Sequence, residues 1–188
     1  MKNVLITGIY SFIGNSLAKY LADKYKDLNI LGIDAESSNE VMYEHIKQAD
    51  FIFHIEELDC ADKKKMDRVN IAYTAKLVNT LIVCKSKVPV VYMSSIRALA
   101  RDNYGHSKFE AEQLILQYYR NYHVPVCIYR LPQIFGSGQP VGKNSTIATY
   151  CHNIAKGKRV ANKDPEEMLR FAYISDVIEE FARAFEGF

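Results

Sequence analysis

The chain has 188 residues, 48% of them hydrophobic, so it can bury one substantial core and is predicted to form a single domain. Its formal net charge of +2 comes from interspersed acids and bases, which argues against a nucleic-acid partner. Four widely spaced cysteines, without a Cys-x-x-Cys motif or a matching histidine set, give no sign of a zinc site or a disulfide framework. No apolar run reaches the length of a membrane span, so we expect a cytoplasmic protein with no metal and no membrane partner.

Apolar runs alternate with segments of helical periodicity along the whole chain. Runs of β-branched and apolar residues predict strands, and apolar residues spaced three or four apart predict helices. The predicted strands are 2–7, 29–33, 51–55, 89–93, 125–131 and 171–174. The predicted helices are 12–26, 40–48, 64–85, 104–121, 145–156 and 175–185, and the Gly- and Pro-containing stretch 132–143 is predicted to be an irregular loop.

This alternation favours an α/β fold with a doubly wound parallel sheet that helices cover on both faces. In such sheets, ligands bind beyond the carboxyl ends of the strands. The residues at those ends are therefore the candidates for a functional site: Gly8, Asp34, 54–57, Ser94-Ser95 and 130–136.

The segment from Thr7 to Gly14 joins the first predicted strand to the first predicted helix. In α/β folds that bind a dinucleotide, backbone N–H groups and the helix N-terminus hold the pyrophosphate at this position. Ser11 stands where the close approach of a pyrophosphate usually requires glycine, and its hydroxyl offers a contact to phosphate. The alternative is a tight turn without a ligand. The predicted cofactor contacts of this loop are Gly8, Tyr10, Ser11, Phe12, Ile13 and Gly14.

Asp34 ends the second predicted strand, 26 positions after Gly8. Its carboxylate is placed to accept hydrogen bonds from an adenosine ribose, and its charge disfavours a 2′-phosphate. Local residues therefore favour NAD(H) over NADP(H). His54 is a further predicted cofactor contact, whose ring we expect to act in hydrogen bonding rather than as a base. The carboxylates of Glu56-Glu57 that follow are expected to weaken cofactor binding.

Tyr104 and Lys108 lie four residues apart in a predicted helix that follows Ser95. Residues at this spacing share one helix face, so the ammonium can approach the phenol. A nearby cation favours phenolate and lowers a reference pKa of about 10 toward the range of a general acid or base. The alternative is a surface helix pair. We interpret two further pairs with this spacing as helix surface, because no hydroxyl-bearing strand end precedes them: Tyr20/Lys24 and Tyr43/Lys47.

The order of these motifs resembles the extended short-chain dehydrogenases/reductases, a Rossmann-type family of sugar-nucleotide epimerases, dehydratases and 4-ketoreductases. The similar stretches are 7–14, 69–74, Ser95 with 104–108, 130–136 and 170–177. The resemblance implies that Ser95, Tyr104 and Lys108 are catalytic, and that Asn70 positions a water that relays protons to Lys108. It also implies that Tyr104 and Lys108 contact the cofactor.

Within that family the sequence is similar to the reductases of capsular-polysaccharide precursor synthesis, notably at 104–108, 112–114, 128–130 and 144–149. The resemblance implies an NAD(P)H-dependent reductase of a UDP-activated 4-keto-6-deoxy-hexosamine. It suggests NADPH, in contrast to the preference expected from Asp34. It further implies substrate contacts at Arg130, Gln133, Asn144 and Ser145, although a structural ion pair is the alternative for Arg130.

We therefore predict one NAD(P)-binding Rossmann domain over residues 1–188, in which 132–174 contribute a partial substrate-binding region. This corresponds to a reduced or truncated C-terminal substrate lobe. One alternative, suggested by Ser11 and Glu56-Glu57, is a non-catalytic cofactor-binding or regulatory protein with the same fold. A sugar-nucleotide epimerase or dehydratase is the other. Family habit implies a homodimer formed through the helices that begin near Lys64 and Tyr104.

Overall fold

The structure is a computed structural model that describes residues 1–55, 63–142, 145–160, 166 and 168–187. Strands and helices alternate along the chain. The strands are β1 (Lys2–Thr7), β2 (Leu28–Ile33), β3 (Phe51–His54), β4 (Val90–Ser95), β5 (Val126–Leu131), β6 (Gln133–Phe135) and β7 (Phe171–Tyr173). The helices are α1 (Phe12–Lys24), α2 (Asn39–Gln48), α3 (Lys63–Val83), α4 (Asn103–Tyr122), α5 (Thr146–Ala155) and α6 (Ile174–Gly187), and a 3₁₀ helix covers Ile96–Leu99.

The main sheet has five parallel strands in the order β2-β1-β3-β4-β5. Thr7 at the end of β1 pairs with Ile33 of β2 and His54 of β3, and Ser95 of β4 pairs with Leu131 of β5. Because the strands are parallel and their ends are in register, their carboxyl ends form one edge of the sheet. Open α/β sheets bind ligands at this edge.

Apolar side chains cover both faces of the sheet. Ile6 and Phe53 pack with residues of α1 and α6 on one face. Leu5 and Ile52, their neighbours in sequence, pack with α2, α3 and α4 on the other face. Successive side chains of a strand point to opposite faces, which explains why the parts of a strand that are buried on both sides are continuous apolar runs, such as Val4-Leu5-Ile6 of β1. The predicted doubly wound α/β fold is therefore confirmed.

Residues 133–135 differ from the prediction of an irregular loop. They form strand β6, which pairs in parallel with β7 through Gln133 and Phe171 and makes a separate two-stranded sheet. A strand of three residues is too short to show an alternating pattern, and the glycines and proline of 132–143 favoured a loop. The 3₁₀ helix is a second element that the sequence patterns do not predict.

The described helices include none that is long and apolar enough to cross a membrane.

Helix α4 buries a polar stripe formed by Ser107, Lys108 and Glu112. Lysine and glutamate are almost never fully buried unless they are paired. The stripe lies on the helix that carries the predicted catalytic pair.

Candidate active site

Lys108 is almost completely buried, with 1% of its surface exposed. Its Nζ lies 5.8 Å from the ring centroid of Tyr104, one turn earlier on α4, and 5.9 Å from that of Tyr92 on β4. The electron-rich faces of two rings stabilise an ammonium that burial has removed from water. The burial of Lys108 therefore argues against an ordinary surface helix pair.

The two other pairs with this spacing lie at the surface. The ammonium of Lys24 is 5.6 Å from the ring of Tyr20, and that of Lys47 is 5.3 Å from the ring of Tyr43. Both lysines are exposed. The spacing alone therefore brings a lysine to a ring, whereas burial and location at the sheet edge distinguish Lys108.

Ser95 ends β4 and begins the 3₁₀ helix, where its Oγ accepts the N–H of Arg97 at 3.2 Å. The guanidinium carbon of Arg97 lies 5.2 Å from the ring centroid of Tyr104. Arg97 thus contacts both Ser95 and Tyr104. The structure places three of the predicted catalytic residues, Ser95, Tyr104 and Lys108, around this one loop and the first turns of α4.

The first turn of α4 is held against the 3₁₀ helix by Asp102 and Gly105. Asp102 is the N-cap residue: its Oδ1 accepts the N–H of Gly105 at 2.8 Å, and its Oδ2 accepts Nη2 of Arg97 at 2.7 Å. These donors, the Gly105 N–H first, lower the pKa of Asp102 and keep it ionised. A Cβ on Gly105 would lie 2.2 Å from the carbonyl oxygen of Arg97, so this approach requires glycine.

Sequence reasoning misses Asp102 and Arg97, although one signal for Asp102 is present. An Asp directly before a predicted helix is a common N-cap. For Arg97 we find no such signal, because its contact with Tyr104 depends on how the 3₁₀ helix packs against α4.

His54 is buried beneath the site, with its ring stacked between Tyr73 and Tyr92 at centroid distances of 5.8 and 5.2 Å. Its Nδ1 lies 2.8 Å from Oγ1 of Thr7, and its Nε2 lies 2.9 Å from Oγ1 of Thr74. Both ring nitrogens are therefore engaged inside the protein. The hydrogen-bonding role expected for His54 is observed, and the expected contact of His54 with a cofactor stays a prediction.

Burial lowers the pKa of His54 to about 3, and the ammonium of Lys108 contributes in the same direction. A histidine in the unfolded chain titrates near pH 6.5, so the unfolded state takes up this proton first as the pH falls. The contribution of His54 to stability is therefore complete above about pH 6.5 and is lost progressively toward about pH 3. We expect this group alone to lower the free energy of unfolding by about 1.4 kcal/mol per pH unit in that interval.

Urea denaturation between about pH 7 and pH 4 checks this expectation on the parent and on His54→Gln. Carboxylates that titrate in the same interval act in both proteins, so the difference between the two slopes belongs to His54. The variant should be less stable near neutral pH but should lose stability less steeply on acidification. Equal slopes would contradict a buried, neutral His54.

Arg130 forms an ion pair with the buried carboxylate of Glu112. Its Nε donates to Oε1 at 2.9 Å and its Nη2 donates to Oε2 at 2.6 Å, while Oγ of Ser94 donates to Oε1 at 2.5 Å. The carboxylate raises the pKa of Arg130 above its ordinary value. Of the two interpretations of Arg130, the structural ion pair is therefore observed. The side chain remains 38% exposed, and the expected contact with substrate stays a prediction.

The other predicted site residues lie on α3, in β6, before α5 or outside the described part. Asn70 is buried on α3, which packs along α4. Gln133 is half-buried in β6, and Ser145 is buried before α5, where its side chain does not cap the helix. Asn144 and Glu56-Glu57 fall outside the described residues. The substrate contacts at Gln133, Asn144 and Ser145 remain predictions.

The loop after β1 forms a tight turn that leads directly into α1. Gly8 has a φ of +66°, and its carbonyl accepts the N–H of Ser11 at 2.9 Å. A Cβ on Gly14 would lie 2.1 Å from the carbonyl oxygen of Gly8, so the turn requires glycine there. The Oγ of Ser11 accepts the N–H of Gly14 at 3.0 Å and caps α1. Ser11 thus acts as a helix cap at the position where glycine was expected.

The first N–H groups of α1 suit an anion. Helix geometry gives the N–H groups of Phe12 and Ile13 no partner within the helix, and the helix dipole favours negative charge beside them. Tyr10 is exposed at the same turn. These features fit the pyrophosphate of a dinucleotide.

Asp34 lies next to this loop, since the N–H of Gly8 donates to the carbonyl of Ile33 at 2.7 Å. Its Oδ1 accepts the N–H of Glu36 at 3.0 Å and the hydroxyl of Ser37 at 2.9 Å. These bonds hold a carboxylate at the end of β2, where a Rossmann fold receives an adenosine ribose. The glycine loop and Asp34 together provide a donor and acceptor set that fits a nicotinamide dinucleotide.

Comparisons with known proteins agree with this geometry. Residues 92–187, more than half of the chain, match the model of the NAD dependent epimerase/dehydratase family. Over 185 residues the chain is 31% identical to UDP-2-acetamido-2,6-beta-L-arabino-hexul-4-ose reductase of Pseudomonas aeruginosa, and the match covers 98% of this chain and 50% of that protein. The chain therefore spans about half the length of this relative.

Solved structures of other proteins also have a fold similar to that of this chain. The capsular polysaccharide assembling protein CapF from Staphylococcus aureus has a TM-score of 0.88 at 31% identity, covering 98% of this chain and 50% of CapF. The dTDP-glucose 4,6-dehydratase of Bacillus anthracis, in complex with NAD, has a TM-score of 0.81 at 18% identity, covers 97% of this chain and 71% of that one, and supports the fold alone. By sequence match and fold, the chain belongs to the NAD dependent epimerase/dehydratase family.

Proposed function

We propose that the protein reduces the keto group of a nucleotide-activated 4-keto-6-deoxy sugar of the UDP-hexosamine type. The observation that carries this proposal is the burial of Lys108 beside Tyr104 at the carboxyl edge of the sheet, next to the Ser95 loop. The name of the Pseudomonas aeruginosa relative, a reductase of a UDP-activated keto-sugar, supports the substrate class. Capsular or surface polysaccharide precursor synthesis is the corresponding context, supported by the similarity to CapF.

Four residues of the chain take part in the proposed proton transfer. Tyr104 donates a proton to the ketone oxygen, and the Oγ of Ser95 hydrogen-bonds that oxygen. The buried positive charge of Lys108 stabilises the phenolate that remains, which makes proton loss easier. Asn70 positions a water through which Lys108 exchanges protons with solvent. A nicotinamide cofactor, when bound, supplies the hydride.

The cofactor would be held by residues of the first two strand ends and of α4. The loop from Gly8 to Gly14 and the N-terminus of α1 bind the pyrophosphate, and Asp34 binds the adenosine ribose. Lys108 and Tyr104 bind the nicotinamide ribose. The carboxylate of Asp34 repels a 2′-phosphate, so we propose NAD(H) rather than NADP(H).

The segment 132–174 would contribute the substrate pocket within a single domain that covers the chain. It contains β6, β7 and α5 and follows the strand end beside Ser95. We assign contacts with the sugar nucleotide to Gln133, Asn144 and Ser145. The burial of the Ser145 hydroxyl, which does not cap α5, supports its place in this set.

A homodimer through α3 and α4 is the proposed assembly. The two helices pack side by side and expose apolar or aromatic side chains to solvent. The exposed residues are Val69, Val83, Phe109, Tyr119 and Tyr122. Sedimentation equilibrium should give twice the 21.5 kDa chain mass, and Phe109→Glu should shift the equilibrium toward monomer. A parent protein that stays monomeric at high concentration would exclude this assembly.

Calorimetric titration with NADH and NADPH tests the cofactor assignment. NADH should bind about tenfold or more tightly, because Asp34 faces a second negative charge in the 2′-phosphate of NADPH. Asp34→Asn should reduce the difference between the two affinities. Tighter binding of NADPH by the parent would overturn the assignment to NAD(H), and binding of neither would contradict the proposed function.

Turnover is measured by the absorbance of NADH or NADPH with a panel of UDP-4-keto-sugars. Reduction of a panel member supports the proposal. Cofactor binding without reduction of any member would favour the non-catalytic alternative. A changed sugar with no net consumption of reduced cofactor would favour the epimerase or dehydratase alternative.

A further inference from the structure

We infer that Arg97 is a positioning residue for the proposed reaction, and that its guanidinium acts with Lys108 as a second cation that stabilises the phenolate of Tyr104. This inference rests on the proposed role of Tyr104 as proton donor. The sequence patterns do not indicate a function for Arg97, which lies two positions after Ser95.

Arg97 contacts the Ser95 hydroxyl, the first turn of α4 and the Tyr104 ring, each with a different group. Its backbone N–H donates to Oγ of Ser95 at 3.2 Å. Its carbonyl oxygen lies where a Cβ on Gly105 would approach to 2.2 Å, so its backbone sits directly against α4. Its guanidinium carbon is 5.2 Å from the ring centroid of Tyr104. One residue thus sets the position of the Ser95 loop relative to the tyrosine.

Asp102 holds the Arg97 side chain over the ring. Its Oδ2 accepts Nη2 of Arg97 at 2.7 Å, while its Oδ1 caps α4 at Gly105. A guanidinium is planar and carries several donors, so it can bind a carboxylate while its flat face lies on an aromatic ring. A lysine ammonium has no flat face, which makes arginine the better residue for both contacts.

The charges around Tyr104 favour its anionic form. Two cations lie near the ring, Lys108 on its own helix and Arg97 on the 3₁₀ helix, and the carboxylate of Asp102 at the helix start binds Arg97. Behind Tyr92, burial keeps His54 neutral at ordinary pH by lowering its pKa.

The two cations differ in their exposure to water. Lys108 is buried, whereas the side chain of Arg97 is 58% exposed and water screens its charge. The effect of Arg97 on the phenolate should therefore be the smaller of the two. It remains at every working pH, because an arginine does not lose its proton in proteins.

The near-ultraviolet absorbance of tyrosinate measures this effect without substrate or cofactor. Each protein is titrated beside the same protein carrying Tyr104→Phe, and the difference isolates Tyr104 from the other tyrosines. Arg97→Gln should raise the pKa of Tyr104 by about half a unit or more, because a nearby cation is lost. Asp102→Asn should lower it, because asparagine keeps the N-cap while the negative charge is removed.

A purely structural role of Arg97 would not shift the pKa of Tyr104 in opposite directions in Arg97→Gln and Asp102→Asn. Arg101→Gln removes the same charge from an exposed neighbour and should leave the titration unchanged. Arg97→Lys keeps the charge and should restore part of the shift. Circular dichroism verifies the fold of each variant, and if Arg97→Gln does not fold, the shifts of Arg97→Lys and Asp102→Asn decide the question.

An unchanged pKa of Tyr104 in Arg97→Gln, or shifts of Arg97→Gln and Asp102→Asn in the same direction, would overturn the inference. When turnover is measured, the pH limb set by Tyr104 should move with the titration. If the pKa of Tyr104 shifts as expected in the variants but the parent reduces no sugar nucleotide, the result would contradict the proposed function alone. The effect of the Arg97 charge on Tyr104 would still have been observed.

Discussion

Lys108→Met is expected to lower turnover by about 10³-fold or more while leaving the protein as stable as the parent or more stable. Methionine fills a similar volume and removes an ammonium whose burial costs free energy, so folding should not suffer. In the proposed mechanism, the chemical step loses the charge that stabilises the phenolate of Tyr104, and cofactor binding loses the proposed ribose contact. Turnover and cofactor affinity should therefore fall together, with a higher pH optimum.

Tyr104→Phe tests the proposed proton donor separately from the charge of Lys108. It removes only the hydroxyl, so the fold and the cofactor affinity should stay nearly intact while turnover falls by about 10²-fold or more. Thermal denaturation, cofactor titration and turnover are measured on the same preparations. A Tyr104→Phe protein with the full activity of the parent would disprove the mechanism.

Matched controls come from a surface pair with the same geometry. The ammonium of Lys47 lies 5.3 Å from the ring of Tyr43, at a distance similar to that in the Lys108 pair, but Lys47 is exposed. Lys47→Met and Tyr43→Phe should change neither turnover nor cofactor affinity, and stability should change only within ordinary surface effects. Tyr20→Phe serves as a further control for the tyrosine.

The fold was predictable because each element of the main sheet carries a complete pattern of its own. The five strands of that sheet lie within two residues of their predicted bounds, since strands buried on both faces contain nearly continuous apolar runs. Strand β6 has three residues and depends on β7, a distant partner, for its hydrogen bonds. No local pattern distinguishes such a strand from a loop.

The candidate site was predictable in position and only partly in the roles of its residues. Parallel topology brings Gly8, Asp34 and Ser95 to one edge, so their location follows from the order of the elements. The sequence left open whether Arg130 forms an ion pair, because its partner, the carboxylate of Glu112, lies 18 residues away on another element. Similarly, His54 stands at the expected strand end, but its burial between two rings depends on how α3 packs.

The ion pair of Arg130 and Glu112 leads to the second prediction with a large effect. Glu112 is 2% exposed, and its carboxylate is held by Arg130 and by the hydroxyl of Ser94. Arg130→Met removes the cation and leaves a buried carboxylate without its counter-charge, which typically costs 3–5 kcal/mol in buried pairs. The side chain of Arg130 is 38% exposed, so water can reach the site, and we expect a loss of about 3 kcal/mol in the free energy of unfolding.

The double variant Arg130→Met/Glu112→Leu distinguishes this cause from lost packing. It removes both charges and fills the space with apolar groups, a change that is often neutral or stabilising for buried pairs. Its free energy of unfolding in urea should therefore recover most of the loss seen in Arg130→Met, less about 1 kcal/mol for the unpaired hydroxyl of Ser94. If the double variant is as unstable as Arg130→Met or less stable, the uncompensated carboxylate is not the cause. Recovery of stability would show that Arg130 is needed in the parent to neutralise the buried carboxylate of Glu112. The protein would then require Arg130 for stability, whether or not Arg130 contacts substrate.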